Sequence, residues 1–192
     1  SRHGVYLYNA TNTRIENVNA SYNAKDGIHI ELSKSNQITG NSVSNNEAGI
    51  ILWDSNSSQI TSNIILNNIV GIDLWKSKDN TVIENTIQNN YGGVQDVDCA
   101  RNRFYHNNIK NNNIQILLKD SFEYWDNGAE GNYWSDYTLR YPGVKDSNGD
   151  GIWDNYYEIN PNNFDRYPIV KPWKSVRLFK VASTAKFVGY NI

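Results

Sequence analysis

Glycines recur through the first half of the chain at nearly constant intervals, and this spacing restricts the fold more than any other feature. Gly4, Gly27, Gly49, Gly71 and Gly93 follow one another, and the first interval is one residue longer than the rest. Most open a short alternating stretch such as Gly27-Ile-His-Ile or Gly71-Ile-Asp-Leu. A repeat of about 22 residues indicates a solenoid, in which each turn packs only against its neighbours.

Apolar residues occupy fixed columns when the repeats are aligned. They alternate with polar residues, and Asn, Gly and Ser separate the short stretches, as in β-strands joined by tight corners. The columns are Ile28, Ile50, Ile72 and Val94; Ile38, Ile60, Val82 and Phe104; and Val43, Ile65, Ile87 and Ile109. We therefore predict an all-β fold, a right-handed parallel β-helix in which each turn of chain is one repeat.

Asparagines form two further columns with the same period. Side-chain amides on stacked turns can hydrogen-bond along the stack, and Asn tolerates the left-handed conformation of a corner. We predict structural asparagine ladders made of Asn41, Asn63, Asn85 and Asn107, and of Asn46, Asn68, Asn90 and Asn112.

One acidic residue interrupts the apolar pattern. Asp96 stands where Ile30, Leu52 and Leu74 stand in earlier repeats. Burial of a carboxylate without partners is costly. We therefore expect a local shift that turns Val97 inward in place of Asp96.

The repeat ends near Asp120, and the composition then becomes aromatic and acidic. We predict a β-helix over residues 1–120 and a cap over 121–173, because the last turn of a solenoid needs cover. Residues 174–192 are basic and are predicted to be a tail or linker. The chain lacks an initiator Met and opens inside a repeat, so we expect it to be part of a longer protein.

The cap contains a pattern of oxygen ligands around Asp146-Ser-Asn-Gly-Asp-Gly. Alternate acidic and amide residues followed by Gly match the first half of an EF-hand-type loop, and a backbone carbonyl and a further carboxylate follow in register. The position of the bidentate Glu is held by Tyr157, so a further ligand is needed from Asp136, Glu158 or Asp165. We predict structural Ca²⁺ bound by Asp146, Asn148, Asp150, the carbonyl of Ile152, and Asp154, with Asp136 as a sixth candidate.

The composition argues against several classes of partner. A net charge of −2 and a pI of about 5.9 give no field for nucleic acid. A single cysteine, Cys99, allows no intrachain disulfide and no thiolate metal cluster. No apolar run approaches the roughly 18 residues of a membrane span. Sequons at Asn9, Asn19 and Asn56 are compatible with an extracellular or cell-surface protein.

The repeat Gly-Ile-x-Leu followed by Ile-x-x-Asn-x-Ile-x-Asn-Asn resembles that of the NosD-like β-helix proteins. The stretch Gly131-Asn-Tyr-Trp-Ser-Asp-Tyr, the acidic loop and Phe164-Asp-Arg-Tyr-Pro-Ile-Val-Lys-Pro-Trp resemble the C-terminal signature of archaeal surface proteins of this type. The resemblance implies a surface or S-layer setting. The copper role of NosD is not expected here, because Cu(I) prefers thiolate and thioether ligands and the chain has one Cys and no Met.

An outward-facing aromatic column supports the function that we favour. Tyr8, Trp53 and Trp75 share one position of the repeat, with Glu31 between the first two. Exposed aromatic faces beside polar groups suit a sugar ring. We therefore expect a surface structural or adhesive module that binds a polysaccharide or glycan and is stabilised by calcium.

Two alternatives remain open. A polysaccharide lyase, hydrolase or epimerase needs clustered acid and base groups, for which Asp73, Asp96 and Asp98 with Lys76 or Arg101 are candidates. A self-assembling subunit of an S-layer or fibre would use other copies of the chain as partners. We expect a binding module rather than an enzyme.

Overall fold

The computed structural model describes residues 2–174, which include the repeats and the cap. The predicted tail, residues 174–192, lies outside the described residues apart from Lys174. Within residues 2–174, the structure contains no helix with the length and apolar character needed to cross a lipid bilayer.

Three parallel sheets run along the molecule; each turn of chain contributes a strand to sheets I and II, and each turn after the first contributes a strand to sheet III. Sheet I contains β1 (Val5–Tyr8), β3 (Ile28–Glu31), β6 (Ala48–Trp53), β9 (Val70–Trp75), β12 (Gly92–Val97) and β15 (Ile114–Lys119). Sheet II contains β2 (Arg14–Glu16), β4 (Gln37–Thr39), β7 (Gln59–Thr61), β10 (Thr81–Ile83), β13 (Ala100–Tyr105) and β16 (Phe122–Tyr124). Sheet III contains β5 (Ser42–Ser44), β8 (Ile64–Leu66), β11 (Thr86–Gln88), β14 (Asn108–Lys110) and β17 (Tyr133–Trp134). This architecture confirms the predicted parallel β-helix.

Equivalent residues of successive repeats are direct partners in the sheets. Ile28 pairs with Ile50, and Ile50 pairs with Ile72. The apolar columns therefore meet inside the solenoid, where their members are 0% exposed. Each buried Ile or Val side chain contributes roughly 1.5–3 kcal/mol through removal from water.

The recurring glycines are required by close approach rather than by a left-handed backbone. A Cβ added at Gly71 would lie 2.5 Å from the carbonyl oxygen of Gly93 and 2.9 Å from Cγ2 of Ile87. Real Cβ atoms do not approach other atoms so closely. Residues of several types adopt the left-handed region at the corners instead; Asn67 and Asn89 do so with φ of 55° and 56°, and Ser62 and Glu84 with φ of 55° and 57°.

Buried asparagine side chains bond to one another along the stack in both expected columns. Asn63 donates through its backbone N and its Nδ2 to Oδ1 of Asn85, at 2.9 and 3.0 Å. Asn85 donates in the same way to Asn107, and Asn68 to Asn90. Each of these asparagine side chains therefore supplies a hydrogen-bond acceptor to a buried backbone N–H group of the preceding turn.

Two additional ladders lie in columns that sequence reasoning did not identify. In one, hydrogen bonds join Asn36, Ser58, Asn80, Asn102 and Glu123 in that order. In the other, Ser33, Ser55, Ser77, Cys99 and Ser121 are joined similarly. The nearly constant number of residues between members could have identified these columns from the sequence, but the mixture of residue types within each column concealed the repeat.

The cap consists of a short helix α1 (Tyr137–Arg140) and an antiparallel hairpin of β18 (Tyr157–Asn160) and β19 (Asn163–Asp165). Aromatic rings cover the end of the core: Trp125 stacks on Phe104 with centroids 4.3 Å apart, and Tyr157 stacks on Trp134 at 4.0 Å. These contacts close the open end of the stack.

Strand β19 also closes two of the ladders. Asn132, in the Gly131-Asn-Tyr-Trp motif, accepts from Asn107 and donates its backbone N to Oδ2 of Asp165 at 2.7 Å. Two residues earlier, Asn163 accepts from the backbone N of Glu123 at 2.9 Å. Residues two apart in a strand point to the same side of it, so β19 can supply one acceptor to the end of each ladder.

The shift predicted around Asp96 does not occur, and that prediction was wrong. Asp96 keeps its register with Leu74 and is 0% exposed, while Val97 pairs with Trp75. Burial raises the pKa of Asp96 to about 6, although Ser121, Cys99 and Asn102 lie close enough to oppose that shift. Neither carboxylate oxygen has a hydrogen-bond partner among the described residues. The raised pKa favours the neutral, protonated carboxyl, which is less costly to bury than a carboxylate.

Candidate binding groove on sheet I

The outer face of sheet I carries the functional side chains, because alternate residues of each strand point away from the core. One outward column contains Tyr6, His29, Ile51, Asp73 and Gln95, and the next contains Tyr8, Glu31, Trp53, Trp75 and Val97. Residues of these columns from the first four turns, together with residues that precede β1, β3 and β6, surround a groove of about 580 Å³.

The indole rings of Trp53 and Trp75 stack on neighbouring turns. Their centroids are 5.7 Å apart and their planes differ by 13°, so one face of each ring is covered by the other. Trp53 remains 46% exposed and lines the groove, with Glu31 next to it in the column. Tyr8 is 58% exposed but lies two turns away from Trp53. The three residues share a column without forming one continuous platform.

Two histidines converge on one carboxylate at the end of the groove nearest β1. Asp26 Oδ2 lies 2.9 Å from Nδ1 of His3 and 2.8 Å from Nδ1 of His29. The Asp26 side chain is only 7% exposed. A carboxylate oxygen accepts hydrogen bonds, so the contact between Asp26 Oδ2 and His29 is a hydrogen bond donated by Nδ1 of that ring in the ion-free protein.

A tyrosine and a glutamate extend this cluster. The hydroxyl of Tyr6 donates to Glu31 Oε2 at 2.7 Å, which raises the pKa of Tyr6. Glu31 Oε2 also lies 3.8 Å from Nε2 of His29. The ring of Tyr6 packs against both imidazoles, with centroid distances of 5.5 Å to His3 and 5.2 Å to His29. The cluster is therefore held by packing as well as by hydrogen bonds.

The walls of the groove carry both charges. Lys25 pairs with Glu47 at 2.9 Å, and Arg2 also lines the groove. Asp73 lies on the floor, where burial raises its pKa to about 7 while hydrogen bonds from Trp75 and Gln95 oppose that shift. The groove thus combines an aromatic face, two imidazoles and several carboxylates.

Sequence reasoning missed the histidine cluster because His3 and His29 do not share a column of the repeat. The longer first step, which separates Gly4 from Gly27, also leads from His3 to Asp26 and from Tyr6 to His29. Alignment of the residues that precede β1 with those that precede β3 would have brought His3 beside Asp26.

The acidic cluster considered for catalysis is not assembled. Asp73 points outward from sheet I, whereas Asp96 points into the core of the same sheet. Arg101, considered as a base or cation beside them, instead pairs with Asp79 at 2.7 Å on the surface. Within residues 2–174, the groove on sheet I instead brings acid and base groups together around His29.

The acidic loop of the cap is folded around its own side chains. Asp146 accepts from the backbone N of Gly149 at 2.8 Å and of Gly151 at 3.0 Å. Asp150 accepts from the backbone N of Ile152 at 2.9 Å, and Asn148 donates to Asp150 at 2.8 Å. The left-handed Gly149 and Gly151 allow the tight turn.

The other predicted calcium ligands are engaged elsewhere in the cap. Asp154 accepts from the Ser147 hydroxyl at 2.6 Å, which lowers the pKa of its carboxyl. Asp136 accepts from Gln115 at 3.2 Å and from the Tyr157 hydroxyl at 3.0 Å. Asp165 is buried beneath Gly131, where an added Cβ would lie 1.8 Å from Oδ1 of Asp165, and there it closes the asparagine ladder. Its role is structural.

Solved structures with the same fold include the periplasmic alginate epimerase AlgG. A mutant of AlgG matches with a TM-score of 0.51 and 24% identity, covering 54% of this chain and 27% of that chain. AlgG without that mutation matches with a TM-score of 0.49 and 23% identity, covering 55% of this chain and 27% of that chain. The chain thus spans about a quarter of the length of those proteins, and the likeness concerns the fold. No curated protein matches the chain.

A family model supplies the remaining comparison. The model described as "Periplasmic copper-binding protein (NosD)" matches residues 1–139, which is most of the chain and all of its repeats. The periplasmic description agrees with the predicted location outside the cytoplasm. The match confirms the resemblance drawn from the repeat, and the chain belongs to the NosD family.

Proposed function

We propose that this chain is an extracytoplasmic β-helix module that binds a glycan in the groove on sheet I. The single observation that carries the proposal is the meeting, in one groove, of an exposed indole and a converging set of polar side chains. Sugar-binding sites combine an aromatic face, which packs on the apolar face of a pyranose, with polar groups that orient its hydroxyls.

The stacking of the two indoles sharpens this proposal. Because Trp75 covers one face of Trp53, the remaining face of Trp53 is the one available to a ligand. That face borders the groove in which Glu31, His29 and Asp73 can bond to hydroxyl groups. The proposal is therefore one sugar packed on Trp53, rather than a row of sugars along Tyr8, Trp53 and Trp75.

A glycan array followed by calorimetry with the best oligosaccharide tests this function. Trp53→Ala is expected to weaken binding at least tenfold, since an aromatic contact in a binding site contributes roughly 1.5 kcal/mol or more. Trp75→Ala should have a smaller effect, because Trp75 supports Trp53. Tyr91→Ala is the control, since Tyr91 is 59% exposed and does not line the groove. Unchanged affinity in Trp53→Ala would overturn the proposal.

We also propose that the acidic loop binds Ca²⁺ and stabilises the cap. Asp146, Asn148 and Asp150 already share one tight turn, and hard oxygen donors are the ligands that Ca²⁺ prefers. Calorimetry should detect binding at millimolar or lower concentration, and chelation should lower the melting temperature. Asp150→Asn should weaken binding, whereas the matched change Asp120→Asn, on the exposed surface, should not. The absence of any heat of binding at millimolar Ca²⁺ would refute the site.

A second candidate function is modification of an acidic polysaccharide, favoured by the arrangement around His29. An imidazole fixed by a carboxylate at Nδ1 presents Nε2 as a base, and the Tyr6 hydroxyl lies in the same cluster as a proton donor. AlgG, which shares the fold, is named as an alginate epimerase. Incubation with alginate and with pectate, with and without Ca²⁺, tests this candidate. A rise in absorbance from unsaturated ends or a change in uronate composition should disappear in His29→Ala, and no change in either polymer would reject it.

Self-assembly through other copies of the chain stays a prediction. Light scattering after size-exclusion chromatography over a hundredfold range of concentration, with Ca²⁺ present, tests it directly. A single monomeric species throughout that range would argue against a lattice or fibre subunit.

A further inference from the structure

We infer that His3, Asp26 and His29 form a binding site for a divalent transition-metal ion, Cu²⁺ or Zn²⁺, at the end of the sheet I groove nearest β1. This site is separate from the calcium loop in the cap. It is also independent of whether a glycan binds, because its ligands come from the protein alone.

The ligand atoms are already close enough to share one ion. One ring nitrogen of His3, one ring nitrogen of His29 and a carboxylate oxygen of Asp26 all lie within 4.8 Å of one another. The two nitrogen-to-oxygen distances are 2.9 and 2.8 Å. Bonds of about 2.0–2.1 Å to a central ion place neighbouring ligand atoms roughly 3.0–3.4 Å apart. An outward movement of a few tenths of an ångström therefore makes room for the ion at Nδ1 of each ring, and each neutral imidazole would then carry its single ring proton on Nε2.

The fold holds these three side chains together. Asp26 and His29 belong to the same turn, and His3 comes from the preceding turn, bound through the backbone bond from Gly4 N to Asp26 O at 3.0 Å. The imidazole rings contact each other edge to face, with centroids 5.1 Å apart. Asp26 is nearly buried, so the ion would lie at the base of the groove. Its remaining coordination positions would face the open part of the groove.

Two of the three histidines of the chain lie in the proposed metal site, where they meet at Asp26. The third, His106, pairs with Glu130 at 2.9 Å and stacks on Trp173 at 3.5 Å in the region of the cap. Among residues 2–174, the recorded cluster of three His, Cys, Asp or Glu side chains with metal-ligand spacing is the one at His3, Asp26 and His29.

The donor set selects the ion. Two imidazoles and a carboxylate suit Cu²⁺, Zn²⁺ and Ni²⁺, and at a given nitrogen and oxygen site Cu²⁺ binds more tightly than Zn²⁺. Cu⁺ does not fit, because the chain has no Met and Cys99 is buried in the interior. Ca²⁺ does not fit either, because it requires six to eight oxygen ligands. The copper-binding description of the NosD family is thus compatible with this chain in the Cu²⁺ state.

Glu31 is placed to complete the site. Its Oε2 is 3.8 Å from Nε2 of His29 and is 2.7 Å from the Tyr6 hydroxyl. Rotation of the Glu31 side chain toward Asp26 would supply an oxygen as the fourth ligand, and release of Tyr6 from Glu31 would accompany it. A water or a ligand oxygen in the groove is the other source of a fourth ligand, as in open metal sites.

Calorimetry of the untagged full chain with Cu²⁺, Zn²⁺ and Ca²⁺, without glycan, tests the site. A residue kept ahead of Ser1 prevents a terminal amine from chelating copper together with His3. We expect one Cu²⁺ per chain, tighter than Zn²⁺, and an electron paramagnetic resonance spectrum with hyperfine coupling to two imidazole nitrogens. His29→Ala should weaken Cu²⁺ binding at least a hundredfold and remove one nitrogen coupling, whereas His106→Ala should change neither.

Circular dichroism of each variant separates loss of the site from loss of the fold, and Asp26→Asn provides a second variant that keeps the shape of the side chain. Equal Cu²⁺ affinity in wild type, His29→Ala and Asp26→Asn would overturn the proposal. A spectrum without nitrogen coupling would do the same. Glycan binding that persists while Cu²⁺ binding fails would refute the metal site alone.

Discussion

Replacement of Glu123 by Gln is expected to stabilise the protein, even though Glu123 is almost fully buried. Glu123 ends the ladder that runs through Asn80 and Asn102, and its carboxylate accepts from the backbone N of Asn102. Burial, together with the nearby Asp96, raises the pKa of Glu123 to about 9 from an ordinary value of 4.5. The position calls for a hydrogen-bond acceptor, and an amide oxygen supplies one without the charge.

The size of the effect follows from this shift. A carboxyl whose pKa is higher in the folded state binds its proton more tightly there, so stability is greatest below pH 4.5 and falls as the pH rises toward 9. At pH 7 the folded protein holds a proton that the unfolded chain has lost, which costs about 3 kcal/mol. Glu123→Gln removes that cost. Because its amide NH₂ needs a partner, we expect a net gain of roughly 2 kcal/mol at pH 7 and none at pH 4.

Urea unfolding at several pH values between 4 and 8.5 measures this difference. Tryptophan fluorescence and far-ultraviolet circular dichroism should be recorded together, because a solenoid can unfold in more than one step. The exposed change Glu158→Gln is the matched control and should leave the free energy of unfolding within about 0.5 kcal/mol. A variant whose difference from wild type is the same at every pH, or whose stability at pH 7 is lower, would refute the reasoning.

Three other substitutions test the interior. Asn85→Ala removes five buried hydrogen bonds and leaves the backbone N of Asn63 without its acceptor, so denaturant unfolding should show a loss of about 3–5 kcal/mol; exposed Asn113→Ala should show almost none. Gly93→Ala would place a Cβ 2.5 Å from the Gln115 carbonyl oxygen and should lower the melting temperature by several degrees, whereas Gly92→Ala, with 3.9 Å to its nearest neighbour, should not. Asp165→Asn should destabilise the cap, because both carboxylate oxygens accept backbone N–H groups and an amide NH₂ cannot replace either; a melting temperature equal to that of wild type would contradict this assignment.

The regular repeat made most of the fold predictable from sequence. Columns such as Ile28, Ile50 and Ile72 are direct physical consequences of stacking, because equivalent residues of neighbouring turns lie about 4.8 Å apart. Asp96 was predicted wrongly because the cost of burial was judged for the ionised carboxylate, whereas burial raises its pKa and favours the neutral carboxyl. The sequence alone does not show how far burial shifts the pKa of one side chain.

The candidate site was only partly predictable. The position of Trp53 and Trp75 in one outward column follows from the repeat, but the coverage of one indole face by the other depends on rotamers that spacing does not determine. The separation of His3 and His29 along the chain matches neither the longer nor the shorter repeat. They meet because His3 precedes strand β1 in the first turn, whereas His29 lies within strand β3 of the next turn.

The asparagine ladders give the interior a direction. In each column the amide of one turn donates to the oxygen of the following turn, and this sense is the same from Asn41 to Asn132. The aligned amide dipoles therefore add, and each bond polarises the next. At the cap end, Asn132 donates its backbone N to Asp165, Glu123 donates its backbone N to Asn163, and aromatic rings cover the core. Strand β19 therefore already occupies the end of these two ladders, and another copy of the chain approaching that end would meet the cap instead of an open ladder.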